Sequence, residues 1–423
     1  MKFFYKQLVQ ITGIVLVLML LITTQGLANN LNMSLNYNIS EKFIKTNKNI
    51  FELHKQKKLT LPEFNVKGIY VTGWVAGIPN RMDKLINLVD ETELNSMVVD
   101  VKDALGYLSY ESSVARSKNF RANKNKIRNI NSLLEKLNKK GIHTIARIAV
   151  FKDAFLANNF PQYALQIRKK VSIKDRRLME EDNKEIREYQ KNITDSTKNL
   201  NSNSQPQLSS DTNKHRIETY SSTSWVNPAN QEVWEYNIKL AQEAFELGFD
   251  EVQFDYIRFP ALRDNKSAVT KQRSKQSIIN DFISTAYKQL AKFEKPISID
   301  VFGLTTSVNN DLGIGQNFSQ LGKYANIISP MVYPSHYSRG TLGVANPAAN
   351  PYEIVYQSMV DAKKKVDKNV MIRPWLQDFS LKHKYSASEV KSQINAVESL
   401  GIKEWLLWNP RSKYTREALK SNK

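Results

Sequence analysis

The chain has 423 residues, with 61 Lys and Arg against 41 Asp and Glu, a formal net charge of +20 and no cysteine. This excludes disulfide scaffolds, zinc–thiolate and iron–sulfur sites and a cysteine nucleophile, while 41% apolar and 10% aromatic residues exclude a wholly disordered chain. The length suits one large domain of roughly 250 residues with insertions, or two ordinary ones.

The first segment reads as an address. Lys2 and Lys6 precede an uncharged apolar run from Leu8 to Thr23, and Gly26-Leu27-Ala28 supplies small residues for a cleavage site. The pattern is that of a signal peptide over 1–28, with an uncleaved anchor as the alternative; the run is short against the roughly 20 residues of a spanning helix. Residues 29–64, rich in Asn, Lys and Ser, read as a flexible tether, and 65–423 as one domain.

Eight short β-branched or aromatic runs follow: Gly68–Trp74, Ser96–Val101, His143–Val150, Glu251–Tyr256, Ile297–Phe302, Ile327–Tyr333, Val370–Trp375 and Glu404–Trp408. Helical patterns are expected over Arg81–Glu93, Ile130–Lys140, Ala229–Leu247, Ser274–Phe293, Tyr352–Val366, Ser386–Leu400 and Thr415–Ser421. Gly141, Gly248 and Gly401 close three of them. Between the third and fourth strands, residues 166–224 read as a largely disordered insertion. A charged helical pattern at 173–190 gives way to Asn/Ser/Thr/Gln-rich sequence at 192–213, a composition that cannot bury a core.

Strands alternating with helices imply parallel pairing. Eight such units imply an α/β fold of the (β/α)8 TIM-barrel type. The rival, an open doubly wound sheet, usually carries G-x-G-x-x-G after its first strand. Gly73-Trp74-Val75-Ala76-Gly77 does not fit that pattern.

Alternation within the strands divides them into two faces. Ile69, Val71, Met97, Val99, Ile148, Val150, Val252, Phe254, Ile297, Ile299 and Val301 would face the helices. Thr72, Trp74, Asp100, Lys102, Arg147, Gln253, Asp255, Ser298, Asp300, Tyr333, Arg373, Trp375 and Trp408 would face the interior. Charged and aromatic residues thus gather inside, toward the C-terminal strand ends where TIM-barrel enzymes place catalysis. The alternative is a set of interior ion pairs, such as Asp100 with Arg147.

Carboxylates among aromatic faces suit glycoside cleavage, in which one carboxylic acid protonates the leaving oxygen and a second carboxylate attacks or activates water. Asp255, within Phe254-Asp255-Tyr256-Ile257-Arg258-Phe259-Pro260, is the first candidate, with Arg258 expected to hold it ionised. Asp300 is the candidate acid if its site is apolar enough, and a salt bridge to Arg147 or Arg373 is the alternative. Substrate contacts are expected from Trp74, Asp100, Lys102, Arg147, Tyr256, Arg258, Tyr333, His336, Arg373, Trp375, Asp378 and Trp408. The five histidines show neither H-x-x-x-H nor H-x-H spacing, and neither a G-x-S-x-G elbow nor a P-loop occurs, so no metal or cofactor is expected.

Taken together, the strand ends resemble a bacterial family, the putative glycosyl hydrolase domain family, related to α-amylase-like TIM-barrel glycosidases. The resemblance rests on KGIYVTGWVAG (67–77), VVDVKDALGYLSY (98–110), IARIAVFKD (145–153), WVNPANQEVWEYN (225–237), DEVQFDYIRFP (250–260), ISIDVFG (297–303), ISPMVYPSHY (328–337), IRPWLQDF (372–379) and EWLLWNP (404–410). It implies a carbohydrate-active barrel, secreted or surface-associated. It also implies that Asp255 is the fourth-strand carboxylate where those relatives carry their nucleophile. The relatives usually carry a Glu acid on the fifth strand; this chain departs from them with Asp300, shorter by one methylene.

The expected function is hydrolysis of a polysaccharide of the envelope, biofilm or environment. The alternative is a non-catalytic carbohydrate-binding or wall-remodelling barrel. The positive charge is dispersed and not interleaved with aromatics, which suits anionic wall polymers or a membrane surface better than a specific nucleic acid.

Overall fold

The computed structural model describes residues 62–172, 215–270 and 272–422. The expected signal over 1–28, nearly all of the expected tether (29–64) and the patterns at 173–190 and 192–213 lie outside the described residues.

Twelve strands occur among the described residues: β1 (Lys67–Val71), β2 (Ser96–Lys102), β3 (His143–Ala149), β4 (Ala164–Ser172), β5 (His215–Val226), β6 (Glu251–Asp255), β7 (Lys266–Ala268), β8 (Ile297–Phe302), β9 (Ile327–Met331), β10 (Met371–Ile372), β11 (Trp375–Gln377) and β12 (Trp405–Trp408). Nine of them run in one parallel sheet in which β1 pairs with both β2 and β12, and β9 pairs with β8, β10 and β11. The sheet therefore closes. β10 and β11 are two halves of one barrel strand, interrupted at Arg373-Pro374, where proline has no N–H to donate. The result is the expected TIM barrel, with eight strand positions.

The main barrel helices are α1 (Pro79–Glu91), α2 (Ile130–Lys139), α3 (Gln231–Leu247), α4 (Lys275–Leu290), α5 (Pro351–Lys365) and α6 (Ala387–Ser399). Their ends follow local chemistry. Asn129 and Asn230 cap α2 and α3 by accepting backbone N–H bonds. Ser386 and Glu389 form a capping box on α6. Gly248 ends α3 at φ +107°, a conformation that costs glycine little. The expected C-terminal helix is a short 3-10 turn, Arg416–Ala418.

The two strand faces carry two cores. Ile69, Val71, Met97, Val99, Ile148, Val150, Val252, Phe254, Ile297, Ile299 and Val301 all join one buried cluster under the helices. Inside the barrel, Tyr70, Val98, Ile145, Tyr333, Trp375 and Leu406 form another.

Three local expectations are corrected. β1 ends at Val71, and Gly73–Ala76 is a helical turn capped by Thr72, so Trp74 is not on the strand. A register shift between Asp100 and Lys102 breaks the alternation in β2. The segment 166–224 begins and ends in an antiparallel ladder of β4 with β5, joined by β7, so its two stems are ordered.

Candidate active site

Asp100, Arg147, Asp255 and Asp300 project from β2, β3, β6 and β8 into the C-terminal half of the barrel, and all four are buried. Arg147 occupies the centre. Its Nη1 donates to Asp100 Oδ1, while its Nε (3.1 Å) and Nη2 donate to Asp255 Oδ2. Tyr70 Oη donates to Asp100 Oδ2 at 2.5 Å. The other oxygen of Asp255, Oδ1, accepts the Tyr256 N–H at 2.5 Å. Asp100 with Arg147, anticipated as an ion pair, is therefore one arm of a three-residue network. Arg147, not Arg258, is the partner of Asp255.

Asp300 lies level with Asp255 on the adjacent strand, because Phe254 pairs with Ile299 in the parallel ladder. It forms no salt bridge with Arg147 or Arg373; Trp375 Nε1 donates to its Oδ1 at 2.7 Å. Burial and then the charge of Asp255 push the Asp300 carboxyl well above the usual carboxylate range, against the opposing pull of Arg147. Asp100 is also raised by burial, with Arg147 opposing. One guanidinium thus serves a cluster of three carboxyls, and Asp300, the carboxyl without a direct ion pair to it, is raised well above the ordinary range.

Aromatic rings line this cluster. Trp408 stacks on Tyr70 at a centroid distance of 3.8 Å and meets Trp375 edge-on at 5.5 Å. The Arg147 guanidinium lies 5.1 Å from the Trp408 ring. Tyr333 is buried in the barrel interior and packs edge-on against exposed His336 and against Phe379. Partial desolvation of its ring, followed by the charge of Lys382, lowers the His336 pKa. Tyr256 follows Asp255 with φ +53°, a left-handed conformation that is strained for a non-glycine residue. Arg258 lies 5.5 Å from the Tyr256 ring and 4.8 Å from that of Trp225.

Several expected contacts fall elsewhere. Lys102 is fully buried on the helix side, bound to Asp153 (2.7 Å) and to Asn237 of α3 (3.1 Å); the β2 irregularity turned it away from the interior. Arg373 faces the interior at its opposite, N-terminal end, held between Glu251 (2.7 Å) and Glu404 (2.7 Å). Asp378 accepts both the N–H and the hydroxyl of Thr415, each at 2.8 Å, and so anchors the C-terminal segment. Trp74 stands 62% exposed on the turn after β1, with Lys126 Nζ 5.7 Å from its ring centroid.

Sequence reasoning missed Tyr70, Trp225, Phe302 and Phe379. The alternation that placed Ile69 and Val71 outside already put Tyr70 inside, and that signal was readable. Trp225 comes to the site from the stem of the insertion, which composition alone does not reveal.

The sequence profile of a family described as "Putative glycosyl hydrolase domain" matches residues 68–414. No curated protein matches the chain in sequence. Among solved structures, a hypothetical protein from Ruminiclostridium thermocellum ATCC 27405 is 31% identical, covering 55% of this chain and 97% of that one, with a TM-score of 0.39. The PgaB (BpsB) glycoside hydrolase domain from Bordetella bronchiseptica is 10% identical, covering 82% of this chain and 95% of that one, with a TM-score of 0.53; this is a likeness of fold. With the match spanning all eight barrel strands but the first residue of β1, the chain belongs to the putative glycosyl hydrolase domain family.

Proposed function

We propose that the protein hydrolyses the glycosidic bonds of a polysaccharide, with Asp300 as the acid and Asp255 as the second carboxylate. The observation that carries this is the pairing of unlike carboxyls on adjacent strands. Asp300 is driven toward its neutral form by burial and by Asp255, while Asp255 is ion-paired to Arg147. An acid whose proton is held more tightly beside a carboxylate held in an ion pair is the division of labour that glycoside cleavage needs. The Asp300 proton passes to the glycosidic oxygen as the bond between that oxygen and the anomeric carbon breaks. Asp255 then either bonds to the anomeric carbon or takes a proton from the attacking water. Trp408 and Tyr256, both partly exposed, offer ring faces and edges for sugar packing, Trp74 offers a further face on the rim, and buried Tyr333 backs the cluster from inside.

Release of reducing ends from a panel of polysaccharides, including amino-sugar polymers and peptidoglycan glycan strands, tests this reading. Asp255→Asn and Asp300→Asn should each lower the rate by roughly 10²–10⁴-fold while keeping the fold by circular dichroism. Wild-type protein that releases nothing from any polymer sinks it.

One observation favours a second reading, a barrel that binds polysaccharide without cleaving it. Asp255 is only 3% and Asp300 only 1% exposed, and both oxygens of Asp255 are engaged. Polymer binding that is unchanged in Asp255→Asn, with no turnover by the wild type, would decide for it.

The reading extends to export. The charged start, apolar run and small-residue exit over 1–28 support a secretory signal. Among the described residues no helix is long and apolar enough to cross a membrane. Detection of the protein in the culture medium or at the cell surface, with a new N-terminus near residue 29, is the expected result.

A further inference from the structure

Two cations stand beside Asp255 without a carboxylate of their own. Arg258 follows β6 on the C-terminal side of the barrel and is half-buried among three rings. Its guanidinium lies 4.8 Å from the Trp225 ring, 5.5 Å from Tyr256 and 6.0 Å from Phe302. Its one hydrogen bond among the described residues runs from Nη1 to the Phe259 carbonyl at 3.1 Å, and its Nε is buried with no acceptor. Lys152 approaches the same Tyr256 ring from the loop after β3, with Nζ 4.9 Å from the centroid. Among the described residues neither cation lies within ion-pair distance of a carboxylate. Asp255, the acidic group that acts on both, is already committed to Arg147 and to the Tyr256 N–H.

Desolvating a cation without a counter-ion is costly. Burial lowers the pKa of Arg258, and burial together with the Arg258 charge lowers that of Lys152. An anion placed between them would relieve both. The rings offer a stacking surface at the same place: Phe302 is 36% exposed at the end of β8, and Trp225 is partly exposed at the end of β5. Tyr256 is the shared wall: both cations lie against its ring, and its left-handed backbone sets it directly after Asp255.

We propose that Arg258 and Lys152 form a subsite for an anionic substituent of the sugar, a carboxylate or a phosphate, with Trp225, Tyr256 and Phe302 packing on the ring that carries it. The inference rests on the carbohydrate-processing reading and names the substrate class: an acidic polysaccharide whose charged residue lies beside the scissile bond.

The test compares matched polymers by affinity electrophoresis of the full chain at 0.15 M salt, where long-range attraction from dispersed charge is screened. Polygalacturonate is set against its methyl ester, and phosphomannan against mannan. The wild type should bind at least one charged member roughly 10- to 100-fold more tightly than its neutral counterpart, the range expected of charge-assisted hydrogen bonds. Preference within the first pair identifies a carboxylate, and within the second a phosphate. Arg258→Met and Lys152→Met should each lose most of that preference, read as the ratio of charged to neutral affinity; Lys152→Met serves if the arginine variant fails to fold. Equal binding within both pairs, or a preference that survives in Lys152→Met, overturns the proposal. Reducing-end release is followed in parallel. A charged preference without turnover leaves the subsite standing and removes the hydrolase reading, whereas cleavage of neutral polymers without charged preference does the reverse.

Discussion

Asp300 meets an indole N–H where Asp255 meets a guanidinium, and the roles proposed for them rest on this difference. An indole can only donate one bond, so it orients Asp300 without supplying a positive charge. Burial and the Asp255 charge then raise the carboxyl well above the ordinary range. If the acid form is the working form, kcat falls as pH rises through this raised pKa. In Asp300→Asn, residual activity should lack that alkaline limb. The variant should also lose far less activity on aryl glycosides with acidic phenol leaving groups, which need no proton, than on polysaccharide. Equal losses on both substrates would remove Asp300 from the acid role. The same shift has a consequence for stability. A group whose folded pKa is raised binds its proton more tightly when folded, so its stabilisation is full below its unfolded value of 3.8 and is lost as pH rises through the folded value. The unfolding free energy of the wild type minus that of Asp300→Asn should therefore decline with rising pH. Urea titrations at a series of pH values measure this, and a difference that stays flat or rises would contradict it.

At the scale of elements, the loop after β2 shows how one irregularity redirects chemistry. The register shift in β2 sends Lys102 under α3, where Asp153 neutralises it at 2.7 Å. Asp153 in turn accepts the Leu156 N–H at 2.7 Å and so caps the short helix Ala154–Asn159. Gly106 of the β2 loop lies directly against this carboxylate: a Cβ there would sit 1.9 Å from Asp153 Oδ1, and φ is +94°. Both the close approach and the backbone require glycine. Gly106→Ala should cost more than about 1 kcal/mol in chemical denaturation and loosen the loops that carry Lys152. Unchanged stability would show that the Lys102–Asp153 contact yields easily.

At the scale of the whole molecule, closure of the barrel buries a charged floor beneath the candidate site. Glu251 of β6 takes Arg373 Nη1 at 2.7 Å and Ser298 Oγ at 2.5 Å, and Glu404 takes Arg373 Nε at 2.7 Å. Burial alone would raise the Glu251 carboxyl, but Arg373 and His143 outweigh it and bring the value down to about 2. A lowered folded pKa stabilises above the unfolded value of 4.5 and is lost as pH falls toward about 2. Glu251→Gln should cost about 3–5 kcal/mol, because it leaves Arg373 buried with one carboxylate fewer. The loss should be largest near neutral pH and shrink in acid; denaturant unfolding at pH 7 and pH 3 checks both. The barrel itself was legible in the chain. β-branched runs alternating with amphipathic helices are a local periodicity, and Ile69, Val99, Phe254 and Ile299 all pack on the face that alternation assigned them. The convergence of Asp100, Arg147, Asp255 and Asp300 followed from the same rule. Of the partners, only Asp100 with Arg147 was legible. Arg147 rather than Arg258 holds Asp255, Lys102 lies outside the barrel wall, and Arg373 closes its floor. Periodicity states which face a side chain takes, and composition states which groups are available. Which charges meet is decided only when strand register, a break in alternation and a proline interruption bring distant residues into contact, because ion pairing depends on ångström-scale position and on shared burial rather than on order along the chain.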